Sequence, residues 1–199
     1  MWLVTMMAAI ASIACAPRHA PLPAGATVVA LGDSLTYGTG ATSETSYPAF
    51  LAGATKWNVI NAGIAGNTAA EGCARLPDLL TEHRPALVLV FLGGNDLLRR
   101  QPVAALIAGL AQCARETKAA GVPMVLFAVP RFDLTGFSDD ALFATFAKEH
   151  DIAWLTPGFG KLLADDLKRA DPVHLNANGY RALAANVVAE LRRLGYVAR

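Results

Sequence analysis

Residues 27–38 read TVVALGDSLTYG: a short run of apolar and β-branched positions, then a glycine, then a polar turn. A run of this length without polar alternation is a strand buried on both faces, as strands are in parallel sheets. Similar runs recur at 57–61, 87–92, 124–129 and, more weakly, 152–155. Between them, 47–54, 69–82, 103–120, 139–150 and 178–194 have helix length, with Gly121 and Gly195 placed as terminal stops. This alternation predicts βαβ units with right-handed crossovers, and hence a three-layer α/β/α sandwich on about five parallel strands. No repeat or second composition regime interrupts it, so one domain is expected over 26–199.

The bulk properties narrow the function. A chain of 199 residues holds one ordinary domain. With 17% charged residues and a formal net charge of +1, it has no field to gather nucleic acid, and a small, near-neutral substrate fits best. The hydrophobic fraction is 54%, but much of it is alanine, and no run reaches the roughly 18 apolar residues a spanning helix needs.

The amino-terminal region has a separate character. Met1 to Ala14 is almost wholly apolar and leads to Cys15, after which Pro17, Pro21 and Pro23 make a stiff, non-helical spacer. That is the layout of an export signal followed by a tether over 1–25. Ser12-Ile13-Ala14-Cys15 resembles a bacterial lipoprotein cleavage box, with Cys15 as the lipidated thiol, although leucine is usual where Ser12 stands and no Lys or Arg precedes the apolar run. The resemblance implies a place in the bacterial cell envelope, periplasmic or membrane-tethered. The alternative is an uncleaved apolar terminus that packs on the domain. Cys73 and Cys113 both fall in predicted helices, 40 positions apart. Buried free thiols are the favoured expectation and a disulfide the alternative. Neither has a partner at zinc-ligand spacing, so no metal site is expected.

Ligands of open α/β sheets bind beyond the carboxyl ends of the strands. Three strands are followed there by polar or glycine-rich sequence: Gly32 to Gly38, Asn61 to Thr68, and Gly93-Gly94-Asn95-Asp96. A fourth segment, Asp171-Pro172-Val173-His174, immediately precedes the last helix. A serine hydroxyl in such a cluster becomes a nucleophile only beside a base, and the base works best when a third group fixes its tautomer. Of the four histidines, His19 is in the spacer, and His83 and His150 are at predicted helix ends, where a cation suits the helix dipole. Only His174 lies in a loop at the active edge, with Asp171 three residues before it. The backbone N–H of Ser34, that of Gly66 and the side-chain amide of Asn95 are candidate donors to an oxyanion. Leu97, Leu98, Val129, Pro130, Arg131 and Phe132 are candidates for the substrate pocket.

Taken singly, each feature has a structural reading: Ser34 as a helix cap, Gly66 and Asn95 as turn residues, Asp171 and His174 as a loop hydrogen bond. Taken in order, they resemble the SGNH or GDSL hydrolase family. The resemblance covers most of the chain from about Thr27, in Gly-Asp-Ser-Leu at Gly32 to Leu35, Gly66, Gly-Gly-Asn-Asp at Gly93 to Asp96, and Asp171-x-x-His174. Asn61-Ala62, Gly66-Asn67-Thr68, Ala74-Arg75-Leu76-Pro77 and Leu92 to Asp96 are further similar to the bacterial thioesterase I, lysophospholipase and arylesterase branch, which often has aspartate where Asn67 stands. The resemblance implies a flavodoxin-like fold and a serine esterase with no cofactor. Ser34 would be the nucleophile, His174 the base, Asp171 its orienting acid, and Asp33 a structural residue of the serine turn. The partner would be a small-molecule ester; the sequence does not speak to oligomeric state. An O-acetylesterase acting on cell-wall or polysaccharide sugars and a catalytically silent envelope binding protein stand as alternatives.

Overall fold

The computed structural model describes residues 19–133, 136–139 and 141–198, with the backbone alone at 131–133 and 136–139. The apolar leader and Cys15 lie outside the described residues. Five strands, β1 (Thr27–Gly32), β2 (Asn58–Gly63), β3 (Leu87–Phe91), β4 (Met124–Phe127) and β7 (Ala153–Leu155), form one parallel sheet in the order β2-β1-β3-β4-β7. Every residue of β3 and β4 is buried, as expected of strands covered on both faces. Helices α2 (Tyr47–Thr55) and α9 (Ala177–Leu194) pack together, with α8 (Phe159–Leu163) against α9. Helices α3 (Ala69–Ala74) and α4 (Leu76–His83) pack on α6 (Val103–Ala119), while α7 (Ala141–Glu149) packs along β4 and β7.

The expected helix over 69–82 is two helices that meet at Arg75. Pro77 stands at the start of α4, where its missing N–H matters least and its fixed φ suits a helix beginning. The fourth strand ends at Phe127, not at Val129, because an antiparallel pair, β5 (Pro130–Asp133) and β6 (Gly136–Asp139), takes up the following chain. The helix expected from Asp139 accordingly starts at Ala141. Two single-turn helices, α1 (Ser34–Tyr37) and α5 (Gly94–Leu98), are too short to carry a periodic signal. The spacer is fastened to the domain at its end: Leu22 N–H donates to the Tyr196 carbonyl at 2.9 Å, and His19 stacks on Tyr196.

The expectation of free thiols is corrected: Cys73 and Cys113 form a disulfide, with Cα atoms 5.0 Å apart. The helices reach that separation because Gly109, one turn before Cys113, has no side chain. A Cβ there would stand 2.5 Å from the Ala70 nitrogen. Closing a loop across a sequence separation of 40 restricts the unfolded chain by about 4 kcal/mol. The double replacement Cys73→Ala/Cys113→Ala should therefore lower the unfolding free energy by about that much and Tm by on the order of 10 °C. Urea and thermal unfolding measure it; a loss under ~1 kcal/mol would show that the crosslink constrains little.

Candidate active site

In a sheet of this order, the chain runs from β1 to one side and then returns to the other, so a crevice opens between β1 and β3 beyond their carboxyl ends. Ser34 begins the turn after β1, and Gly94-Asn95 begins the turn after β3. Asp33 caps the serine turn: its Oδ1 accepts from Leu35 N–H at 3.0 Å. The Ser34 side chain is thereby presented at the first position of a helix, and among the described residues nothing accepts its backbone N–H.

The histidine arrives on a loop that folds back on itself. Ala170 N–H donates to the His174 carbonyl at 2.9 Å. Asn176, two positions beyond His174, braces the loop. Its Oδ1 accepts from Gly179 N–H at 3.0 Å and so caps α9, while its Nδ2 donates to the carbonyls of Leu167 at 3.0 Å and Arg169 at 3.3 Å. This arrangement brings His174 Nε2 to 3.0 Å from Ser34 Oγ across 140 positions of sequence. On its other side, His174 Nδ1 lies 2.8 Å from Asp171 Oδ2. Asp171 Oδ1 accepts the backbone N–H groups of Val173 and His174, both at 2.9 Å, so the carboxylate cannot swing away without losing three bonds. Burial acts to raise the Asp171 carboxyl, but those bonds and the imidazole outweigh it and hold the group below the ordinary carboxylate value.

The loop after β2 is held from two sides. Arg75 Nε donates to Asn67 Oδ1 at 3.1 Å, and its Nη2 donates to the Ala62 carbonyl at 2.9 Å. Asn67, in the position where the resembling branch often has aspartate, thus serves as an acceptor for the Arg75 guanidinium. Arg99 Nη2 donates to the Gly66 carbonyl at 2.8 Å. Gly66 has φ +83°, a conformation that favours glycine, and among the described residues its N–H has no acceptor. Asn95 is more committed than expected: its Nδ2 donates to the Asn67 carbonyl at 2.9 Å and to Asp33 Oδ2 at 3.2 Å. It ties the loops after β1, β2 and β3 together. Asp96 anchors its loop: it is buried, and its Oδ2 accepts from Ala69 N–H at the start of α3 at 2.9 Å.

A cavity of about 130 Å³ opens beside the serine, lined by Asp33, Ser34, Leu35, Gly94, Asn95, Leu98, Val129, Phe159, Val173 and His174. Of the expected pocket residues, Leu98 and Val129 line it. Leu97 does not: one helical position from Leu98, it turns to the core. Pro130 is buried at the start of β5 and outside the lining, and the side chains of Arg131 and Phe132 lie outside the described parts. Leu35, Phe159 and Val173 were not anticipated. A larger cavity of about 830 Å³ lies at the amino ends of β4 and β7, remote from Ser34. His150 and His19, in its wall, lie against the rings of Phe146 and Tyr196 and take no part in the site. Among the described residues, no group of side chains could hold a metal ion, and no helix is long and apolar enough to cross a membrane.

Asp33 is 3% exposed. Burial pushes its carboxyl up to about 6, against the opposing Leu35 N–H bond and the charge of His174. Because the folded protein then holds this proton more tightly than the unfolded chain, the ionised group lowers stability above pH 6, and the penalty fades as pH falls from about 6 to about 4. The shift corresponds to on the order of 3 kcal/mol. Raising the pH from 4 to 7 should shift the stability difference between Asp33→Asn and the native protein by about that amount in the variant's favour. Urea unfolding at several pH values reads it; a pH-independent difference would contradict the assignment.

Serine, imidazole and carboxylate in hydrogen-bonded line, set at the carboxyl edge of a parallel sheet, define a serine hydrolase on a flavodoxin-like sandwich. Residues 30–182 match the model of the GDSL-like lipase/acylhydrolase family. The esterase TesA of Pseudomonas aeruginosa is 38% identical over 111 residues, covering 53% of this chain and 55% of that protein. The thioesterase 1/protease 1/lysophospholipase L1 of Escherichia coli is 34% identical over 181 residues, covering 84% of each chain. The crystal structure of a TesA superposes with a TM-score of 0.77 at 30% identity, over 84% of this chain and 99% of that one. The chain belongs to the GDSL-like lipase/acylhydrolase family and is an ester hydrolase of the SGNH kind.

Proposed function

We infer that the protein hydrolyses carboxylic esters, aryl, lipid or thioester, through an acyl-enzyme formed on Ser34. The observation that carries this is the 3.0 Å approach of His174 Nε2 to Ser34 Oγ, with Nδ1 held by Asp171. A carboxylate on Nδ1–H leaves Nε2 unprotonated and facing the hydroxyl. As Ser34 Oγ bonds to the acyl carbon, its proton passes to Nε2 and the carbonyl becomes an oxyanion. The N–H groups of Ser34 and Gly66 have no other acceptor among the described residues and are free to donate to it. Asn95 adds a third by exchanging its longer bond to Asp33, at 3.2 Å, for the oxyanion. Collapse breaks the bond to the leaving alcohol or thiol, which takes the proton from His174. Water then repeats the sequence on the acyl-enzyme, with its proton passing to His174 and on to Ser34 Oγ as the acid departs.

A fluorophosphonate forms a stable phosphonyl ester with an activated serine, so it should stop hydrolysis of p-nitrophenyl butyrate stoichiometrically and leave its mass on the Ser34 peptide. Continued hydrolysis with Ser34 unlabelled would assign the chemistry elsewhere. For location, we place the enzyme in the bacterial envelope, tethered through lipidated Cys15. The Cys73–Cys113 disulfide supports an oxidising compartment, and the apolar leader ending at Cys15 supports the tether. Intact mass of membrane-extracted protein should show lipid on an amino-terminal Cys15; a mature chain beginning elsewhere would refute the tether.

A further inference from the structure

We propose that the 130 Å³ cavity beside Ser34 receives the acyl part of the substrate, that it admits chains of up to about six carbons, and that Phe159 closes its deep end and sets this limit. The inference rests on the esterase reading and narrows it to short-acyl esters.

The size follows from comparison: an apolar protein cavity of about 150 Å³ holds benzene, six carbon atoms. The closure follows from packing. Phe159 is 3% exposed, and its ring meets Phe91 edge-on at 5.7 Å, with planes at 89°. Phe91 in turn leans on Phe127 at 5.1 Å, and both rings lie against buried Tyr47. A ring fixed by an aromatic cluster cannot swing aside for a longer chain. Val129 is likewise buried, and Val173 rides on the braced histidine loop. Leu98, half exposed on the single turn α5, is the most exposed lining side chain among the described residues.

The acyl group belongs in this cavity because of the order of events. The leaving group must take a proton from His174 and depart before water attacks, whereas the acyl group stays bound through both steps. A pocket with largely apolar walls beside the serine suits the part that stays. Among the described residues, away from Ser34, His174, Asp33 and Asn95, the side chains that wall it are those of Leu35, Leu98, Val129, Phe159 and Val173. A charged or sugar-bearing group would lose its hydration there without replacement.

Two substrate series on the full-length protein test this. With p-nitrophenol fixed, kcat/KM should rise about fourfold per methylene from acetate towards hexanoate and fall at least ~10-fold at decanoate and palmitate. Phe159→Ala should move the optimum to longer chains, and Phe159→Leu should do so more modestly with less disturbance to the fold. Phe159→Trp should move it to acetate or propionate. With butyrate fixed and the alcohol varied, the three variants should keep the native order of preference. A native optimum at palmitate, an acetate-only profile, or an unchanged acyl profile in the folded Leu and Trp variants would overturn the proposal. So would a changed alcohol profile with the acyl profile intact, which would put the leaving group in the cavity. Hydrolysis undiminished in Ser34→Ala would instead remove the esterase reading on which it rests.

Discussion

Ser34→Ala is expected to lower kcat on p-nitrophenyl butyrate by about 10⁴- to 10⁶-fold, His174→Ala by a similar factor, and the double variant by no more than either alone. The non-additivity matters more than the magnitude. Without Nε2 at 3.0 Å the hydroxyl keeps its proton, and without the hydroxyl the imidazole has nothing to activate but water. Either deletion therefore removes the whole covalent route. What survives is the binding of substrate and the N–H groups of Ser34 and Gly66, since alanine at 34 keeps its backbone donor. Among the described residues the Ser34 side chain makes no hydrogen bond beyond that to His174, and the turn is capped by Asp33, so the variant should unfold within ~0.5 kcal/mol of the native protein. Steady-state kinetics on the three variants, beside their urea unfolding, measure both quantities. Losses that multiply in the double variant would mean that the two side chains act independently.

The parts of the molecule that were legible in the sequence share a physical cause. The three inner strands could be read because burial on both faces leaves uninterrupted apolar runs, the half-buried edge strands β2 and β7 from shorter ones, and the long helices because 17- and 18-residue segments such as α6 and α9 carry a sustained periodicity. Three of the site loops could be read because their residues lie within a few positions of strand ends, and the fourth, Asp171 to His174, because it immediately precedes the last helix. Elements that depend on neighbours distant in sequence were not legible. α1 and α5 are single turns fixed by loop contacts, such as the bond of Asp33 to Leu35 N–H. The break at Arg75 does carry a local signal in Pro77, which a helix drawn through it overlooked. The disulfide was decided by Gly109, four residues from Cys113, through a close approach of two helices that spacing alone does not reveal.

The pocket shows the same division more sharply. Leu97 and Leu98 are equally apolar and equally near a strand end, yet they diverge by one helical step, one into the core and one into the cavity. Phe159 comes from after β7 and reaches the serine only through packing on Phe91, a residue of β3. Asn176 was hard to see for another reason: it braces the loop by bonding carbonyl oxygens, which every residue type possesses, so its partners leave no mark in the sequence. Asn176 did carry one local signal, a helix-capping residue three positions before Gly179.

Asp171→Asn is expected to lower kcat by about 10⁴-fold while leaving the loop in place. The asparagine oxygen can still accept from Val173 and His174 N–H, the two bonds that Asp171 Oδ1 accepts at 2.9 Å, so the backbone has no cause to move. The change falls on the other atom. Where Oδ2 accepts from the ring 2.8 Å away, the amide presents hydrogens, and Nδ1 must turn acceptor. The ring proton then resides on Nε2 and points at Ser34 Oγ, where it can no longer take the hydroxyl's proton. Asp171→Ala, which leaves Nδ1 free to keep its proton with water, should therefore be no worse than the isosteric amide, although it loses both loop bonds. The rival acid is Asp33, whose buried carboxyl senses the charge of His174. Its oxygens, however, are directed at Leu35 N–H and Asn95 Nδ2, not at the imidazole. If Asp33 nevertheless oriented the ring, Asp171→Asn would lower kcat less than ~10-fold and Asp33→Asn would take the large loss; kinetics on the two variants side by side, each with its unfolding curve, decide between them.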